Sequence, residues 1–267
     1  MLYLVATPIG NMSDISFRAV ETLKNVDVIA CEDTRHSLKL LDYYGIKKQL
    51  ISYHKFNEVK ETENIIKLLK EGKNVALISD AGSPVVSDPG NILTKTLVEN
   101  GIEFTVIPGA TACVSALILS GLDASNFTFI GFLPEKKKDR QELIKAYANV
   151  PSTLIFYSAP HDVNKDLKDL YETLGDRKTA VVKEITKLHE KVYHFTLKDA
   201  QIEDARGEFV IVVEGSLKTH NAFENLSEKE HIELYLRRGM SKKEAIKLVA
   251  TERGVSKNSL YKYTIEE

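Results

Sequence analysis

Three turns rich in glycine and proline each follow an apolar, strand-like run in the first half of the chain. They are TPIGN (Thr7–Asn11), SDAGSPVVSDPG (Ser79–Gly90) and PGATA (Pro108–Ala112). Glycine lets a ligand approach the backbone, proline fixes the turn, and the amides and carbonyls left exposed become binding groups. In an open α/β sheet the carboxyl ends of parallel strands form the ligand crevice, so parallel strands would bring all three turns to one edge. The middle turn is long. Strand-to-helix connections usually take about 2–6 residues, and this one holds Asp80, Asp88 and three serines. Taken singly, each turn also reads as local turn chemistry, with the aspartates bonding nearby amides and Asp88 capping the next helix. Three on one edge point to a ligand site.

Several familiar chemistries are absent. No GxGxxG follows the first strand and no GxxxxGK[ST] occurs, so dinucleotide and P-loop nucleotide sites are unsupported. No GxSxG elbow appears. His189-Glu190 and His194 form HExxxH, one residue longer than the helical HExxH zinc spacing, in a strand-like stretch. No metal site is expected.

The elements that must position the turns alternate. Leu2–Thr7, Val28–Cys31, Val75–Ser79 and Phe104–Ile107 read as strands. A helix around Phe17–Leu23, capped by Ser13 or Asp14, follows the first. Further helices are expected at Leu38–Tyr44, around Ile65–Leu69 ending near Gly72, at Ile92–Glu99, and at Cys113–Leu119 after Pro108-Gly109. This alternation predicts an α/β fold with a largely parallel sheet. A second α/β block has strands at Phe127–Phe132, Thr153–Tyr157, Ala180–Glu184, Val192–Leu197 and Phe209–Val213. The last three lie too close for intervening helices, so that part is expected to be mixed or antiparallel. PEKKKDR (Pro134–Arg140) reads as an exposed, charged loop entering a helix.

From Ser227 the pattern becomes helical. Ser227-x-x-Glu230 and Ser241-x-x-Glu244 fit capping boxes, Gly239 and Gly254 sit where helices would stop, and Ser256 could cap a short third helix. Between Arg237 and Lys262 eight Lys or Arg face two Asp or Glu, a surplus of six positive charges in a chain of net charge −2. The expected partition is 1–120, 121–217 and a basic helical unit at 225–267. With 43% apolar and 28% charged residues, the 267-residue chain has ordinary globular composition, and no apolar run is long enough to span a membrane. The N-terminus reads as an immediate strand without a leader. Cys31 and Cys113 form no CxxC pair and read as buried, reduced thiols, so a cytoplasmic protein is expected.

VATPIGN, ACEDTR, SDAGSPVVSDPG and PGATA, in that order, resemble the tetrapyrrole-methylase superfamily of S-adenosylmethionine-dependent methyltransferases. FYSAPHD (Phe156–Asp162), KEITKLHE (Lys183–Glu190), GEFVIVVEG (Gly207–Gly215) and KNSLYKY (Lys257–Tyr263) extend the likeness to the branch that methylates small-subunit ribosomal RNA. The resemblance implies two α/β domains with the cofactor in the cleft between them, and a homodimer. It implies methylation of the ribose 2′-oxygen of a cytidine in the decoding region of 16S rRNA, within the small ribosomal subunit. ISDAG stands where tetrapyrrole-modifying relatives carry a Gly-Asp-Pro turn, which counts against a porphyrinoid substrate. By the same resemblance, Pro8, Gly10, Asp80, Gly82, Ser83, Thr111 and Ala112 match the cofactor loops. Methyl transfer from a sulfonium needs alignment and water exclusion rather than a metal, and a general base could help. ACEDTRH offers Glu32, Asp33 and His36 as bases, with Arg35 for a phosphate; Glu184 and His189 are further candidates. Arg237, Arg238, Lys242, Lys243, Lys257 and Lys262, with Arg253, suit phosphate contacts, and Tyr261 and Tyr263 suit base stacking or packing. The competing readings are a superfamily methyltransferase acting on a tetrapyrrole or protein side chain, and a non-catalytic RNA-binding assembly factor.

Overall fold

The computed structural model describes residues 1–216 and 226–264. The chain divides into two compact units, Met1–Ala148 with Ser152–Gly215, and Asn149–Pro151 with Ser216–Glu267.

The larger unit begins with β1 (Leu2–Val5), α1 (Phe17–Asn25), β2 (Val28–Cys31), α2 (Thr34–Tyr43), β3 (Gln49–Ser52), α3 (Glu58–Lys70), β4 (Val75–Ile78), α4 (Asn91–Glu99) and β5 (Phe104–Ile107). The five strands form one sheet in the order β3-β2-β4-β1-β5, with every pair parallel. β2 and β4 are buried at every residue. Alternate β4 side chains explain why: Ala76 and Ile78 pack with Leu23 and Leu41 of α1 and α2, while Val75 and Leu77 pack with Ile65 and Leu93 of α3 and α4. Helices thus cover both faces, which parallel strands require.

α5 (Ala112–Ser120) follows β5 in the chain but packs on a second sheet. Its Cys113, Ala116 and Leu117 meet Ile155, Val182 and Val210. That sheet contains β6 (Phe127–Phe132), β7 (Thr153–Ser158), β8 (Lys178–Lys183), β9 (Lys191–Thr196) and β10 (Phe209–Val213), joined by α6 (Lys137–Ala146) and α7 (Val163–Leu174). Its order is β6-β7-β10-β8-β9, with β6 and β7 parallel and the other pairs antiparallel. The mixed arrangement expected from the close spacing of the last three strands is what forms. Cys31 and Cys113 are buried free thiols.

Several local expectations need correction. β3, a half-buried edge strand with the sequence Gln-Leu-Ile-Ser, gave no recognisable apolar run. α1 is capped by Ser16, whose side chain accepts from the Ala19 amide, and neither Ser13 nor Asp14 caps it. Asp88 does not cap α4. Gly90 is the cap residue, without a side-chain bond of its own, and its amide instead donates to the Glu58 carboxylate at 2.5 Å. PEKKKDR is not exposed throughout. Arg140 lies in α6 and is 1% exposed, because Asp166 and Asp169 of α7 pair with its guanidinium, the latter at 2.7 Å. A buried cation persists only with such partners.

The smaller unit holds α8 (Glu228–Arg237), α9 (Lys242–Arg253) and α10 (Lys257–Leu260). Both capping boxes form, Gly254 ends α9 in the left-handed conformation, and the Ser256 side chain caps α10. Ile232 and Tyr235 pack against Ile246, Val249 and Leu260 as a core of their own.

Gly90 joins the long turn to α4 at a φ of 135°. A Cβ there would stand 2.7 Å from Val85 Cγ2 and 3.2 Å from Leu77 Cδ2. Gly90→Ala is therefore expected to lower stability by about 2–3 kcal/mol through backbone strain and overpacking. Urea unfolding checks this, and an unchanged midpoint would refute the account.

Candidate functional site

The three turns meet at the carboxyl edge of the first sheet. Thr7 and Gly82 exchange both backbone hydrogen bonds, at 2.8 and 3.1 Å, and the Thr7 hydroxyl donates to the Ser79 carbonyl at 3.1 Å. This two-residue bridge zips the first turn to the long one. Gly82 is at φ 80°, which glycine adopts without strain, whereas Val85 and Ser87 hold φ of 78° and 66°. A β-branched residue there is an outlier, and such strain concentrates at functional sites. The Glu58–Gly90 bond pins the far end of the loop.

A cavity of about 420 Å³ opens beside this loop. Its first wall is Ile9, Asp80–Ser83, Val86–Asp88, Thr111 and Ala112. Its second wall comes from the other sheet: Phe132, Tyr157–Pro160, Ile185 and Glu208–Val210. The volume falls within the range of small-molecule and cofactor sites.

Half-buried carboxylates dominate its electrostatics. The Asp33 amide donates to Asp80 Oδ1 at 3.2 Å, which brings the ends of β2 and β4 together. Burial pushes the Glu32 carboxyl up, and the Asp80 charge adds to the effect. Asp88 is pushed up to about 6 by burial first and then by the charges of Glu32 and Asp80, with a Ser79 hydrogen bond working the other way. Asp33 is held below its ordinary range by the Arg35 amide and guanidinium.

The second wall is held by two polar assemblies. The Ser158 hydroxyl, at the cavity, donates to Asp166, which pairs with Arg140. Lys187 Nζ lies 2.9 Å from Glu184 Oε1 and 2.8 Å from Glu208 Oε2, and Glu184 also accepts from the Glu208 amide. Burial alone would raise the Glu184 carboxyl, but these partners outweigh it and hold it low. The Lys187 stem lies over Gly10, where a Cβ would come within 2.5 Å of Lys187 Cγ. Thr186 donates to Asp14 at 2.5 Å, and both Glu184 and Thr186 hold positive φ.

The structure brings some of the residues singled out from the sequence together and separates others. Asp80, Gly82, Ser83, Thr111 and Ala112 line the cavity; Pro8 and Gly10 flank Ile9, which does. Glu32 and Asp33 sit beside Asp80, outside the lining. Arg35 is exposed and pairs with Asp33 at 3.4 Å. Glu184 also lies outside the lining, as part of the Lys187 assembly. His36 and His189 are exposed, and His194 meets the Ser120 carbonyl at 3.2 Å. Among the described residues, no group of three His, Cys, Asp or Glu side chains is arranged to hold a metal. Asp88, Tyr157, Ser158 and Glu208 also line the cavity, although none is among the site residues expected from the sequence. Asp88 was visible as the second acid of SDAGSPVVSDPG; the other three become neighbours only through the second sheet.

In the smaller unit, Lys242 and Lys243 open α9 and Lys257 opens α10. Arg237 pairs with Glu233 at 3.7 Å, Arg238 lies over the Tyr235 ring, and Lys262 pairs with Glu228 at 3.8 Å. Tyr261 is 42% exposed. Arg253 does not stand ready for phosphate. Its guanidinium donates to His231 Nδ1 at 3.0 Å and to the carbonyls of Leu226 and Ser227, closing the unit from within.

Residues 1–201 match the family of tetrapyrrole (corrin/porphyrin) methylases, and the chain belongs to it. Solved structures of similar fold include the uroporphyrin-III-C-methyltransferase of Thermus thermophilus (TM-score 0.58, 23% identity, 80% of this chain and 93% of that one) and a diphthine synthase (0.64, 15%, 80% and 89%). In sequence the chain is similar over nearly its whole length to proteins named ribosomal RNA small subunit methyltransferase I. That of Halalkalibacterium halodurans is 44% identical over 97% of this chain and 93% of its own length, and that of Escherichia coli O157:H7 is 39% identical over 100% and 95%.

The electrostatics of Asp88 give a test that needs no ligand. Its carboxyl titrates higher in the folded than in the unfolded chain, so its ionisation opposes folding as pH rises through about 4 to 6. Asp88→Asn is expected to raise the melting temperature at pH 8 and to leave it nearly unchanged at pH 4. A lower melting temperature at pH 8 would contradict the repulsive environment.

Proposed function

We propose that this protein uses S-adenosylmethionine to methylate the 2′-hydroxyl of a cytidine ribose in the decoding region of 16S rRNA. The observation that carries the cofactor assignment is the acid-rich cavity at the carboxyl ends of β1, β4 and β5. S-adenosylmethionine, when bound, supplies an activated methyl group on a positively charged sulfur. The cavity fits such a group by volume, by the Asp80 and Asp88 carboxylates that would face its cations, and by Gly82, which lines it with bare backbone. Asp80, Gly82, Ser83, Thr111 and Ala112 would hold it, with Pro8 and Gly10 shaping the turn around Ile9.

The assignment of RNA rests on the names of the relatives and on the basic smaller unit. Within the cavity, Phe132, Tyr157 and Ile185 form an apolar wall that excludes water, and the edge-on packing of Tyr157 against Phe129 and Phe132 fixes it. Asp88 accepts the proton that the 2′-hydroxyl must lose, since its carboxylate is ionised at neutral pH yet basic for its type. Glu32 holds its neighbour's proton affinity up, Asp33 and Arg35 fix the β2 end, and Glu184 positions Lys187 against Glu208. The outer side of α5 and the β5 edge expose Val106, Val114 and Ile118, which suit pairing with a second copy.

Calorimetry with S-adenosylmethionine and transfer of its labelled methyl to 30S subunits test this reading. Wild type is expected to bind, and Asp80→Ala to bind at least about tenfold more weakly. The transfer rate should rise with pH as Asp88 ionises, at or below about 6 because the bound cation lowers it, and Asp88→Asn should cut it by about a hundredfold or more and abolish that rise. Label in a base instead of a ribose would overturn the 2′-O assignment, and an unaltered profile in the variant would remove Asp88 as base. Lys242→Glu with Lys243→Glu is expected to raise the KM for subunits and leave cofactor affinity unchanged; equal loss of both would remove the RNA role of α9.

A further inference from the structure

Among the described residues, Phe17, Leu188 and Phe56 are the most exposed large apolar side chains, at 97%, 94% and 93%. All three lie in segments that follow strands. Phe17 begins α1 after β1, Phe56 lies between β3 and α3, and Leu188 belongs to the segment after β8 that reaches Asp14 and Gly10. Phe17 and Phe56 each adjoin an exposed cation, Arg18 and Lys55. Rings as exposed as these contribute nothing to the core.

The Phe56 loop is the better built of the two. Its backbone is clasped by Asn57, whose side chain accepts from the His54 amide at 2.8 Å and donates to the Ser52 carbonyl at 2.9 Å. The Phe56 amide donates to His54 Nδ1, and the two rings stand edge-on with centroids 6.1 Å apart. The loop is tied to the site on both sides. The Tyr53 amide continues the sheet to the Cys31 carbonyl at 2.8 Å, which sets His54 near enough to Glu32 for their charges to interact. Glu58, next along the chain, holds the Gly90 amide at the end of the cofactor loop. The hydrogen-bonded loop thus presents a solvent-facing ring beside His54, the side chain whose charge reaches Glu32.

We infer that the His54–Phe56 loop is a docking surface for single-stranded RNA, with an unpaired base beside the target nucleotide stacked on Phe56 and a phosphate at Lys55. Stacking on an aromatic face with a cation at the backbone is the usual chemistry of single-strand recognition, and a ring already held in place spares the cost of ordering it. The inference rests on the RNA-methylation reading and deepens it, because it assigns substrate contact to the larger unit as well as to the basic helices.

The test measures two quantities, affinity for 30S subunits by filter binding and the methyl-transfer rate, for wild type, Phe56→Ala, Phe56→Tyr, Phe56→Leu and Lys55→Glu. Phe56→Ala is expected to weaken subunit binding by about tenfold, within the range for losing one base stack. Phe56→Tyr should bind as wild type, Phe56→Leu should be as weak as alanine, and Lys55→Glu should bind more weakly with a smaller salt dependence. Calorimetric affinity for S-adenosylmethionine should be the same in all five. Wild-type binding by Phe56→Ala would overturn the docking surface. Full binding by Phe56→Leu would also overturn it, since it would show an apolar contact to protein in place of a stacked base. Phe56-dependent binding without methyl transfer by the wild type would leave the docking surface standing and remove the catalytic reading.

Discussion

Negative charge gathered at the ends of β2 and β4 is the constraint on which the rest of the site depends. Burial raises the Glu32 and Asp88 carboxyls, and the Asp80 charge adds to both, as the Glu32 charge does at Asp88. Left to itself the loop between β4 and α4 would splay and hydrate these groups. It is held instead by the Thr7–Gly82 bridge at one end and by Glu58 on the Gly90 amide at the other. The positive φ of Val85 and Ser87 between these anchors is what such clamping produces. A bound cation would relieve the repulsion, so the feature that costs the unliganded fold stability is the one that selects its ligand. This is the familiar exchange between stability and a preorganised site.

The opposite wall needs a different solution, because it must be polar at the cavity and firm behind it. Ser158 faces the cavity while its hydroxyl proton is committed to Asp166, leaving the oxygen as an acceptor toward the ligand. Asp166 can serve only because Arg140 neutralises it, and Asp169 completes the pairing of that buried guanidinium. Similarly, Glu208 is fixed through Lys187 and Glu184 and not by direct packing. Both assemblies reach one wall from separate elements, so Ser158 and Glu208 at the cavity are each backed by a partner that solvent does not provide.

The strands are the most legible part of the sequence, because continuous apolar runs need no knowledge of their neighbours. β6 and β10 have the bounds read from the chain alone. β3 is not legible, since an edge strand half open to water carries no such run. The cofactor loops are legible because glycine and proline mark them locally. Asp88 is conspicuous in the sequence but its role is not. An Asp two residues before a glycine looks like a cap, and only the fold shows that Gly90 is the cap residue and that its amide is held by Glu58. Arg140 misleads for the same reason, as its partners lie on α7 and a run of lysines precedes it. Pairing across elements leaves no local trace, and that is the limit for Tyr157, Ser158 and Glu208 as well.

The basic helices reward one last comparison between what a helix prefers and what this chain supplies. Cations at a helix N-terminus oppose the macrodipole by about 0.3–1 kcal/mol each. Yet Lys242 and Lys243 occupy the first turn of α9, and Lys257 opens α10. In α9 the cost is offset by the Ser241–Glu244 capping box, worth about 1 kcal/mol, whose carboxylate also sits at the positive end. In α10 Ser256 caps alone. Arg253 shows the contrasting pattern, for it sits in the last turn of α9, where the dipole favours it, and spends its hydrogen bonds on closing the unit. Basic residues that serve the fold thus stand where the helix wants them, and Lys242, Lys243 and Lys257 stand where it does not. The Ser241–Glu244 box and the Ser256 cap are thus what let these two helices carry lysines in a first turn where the dipole disfavours them.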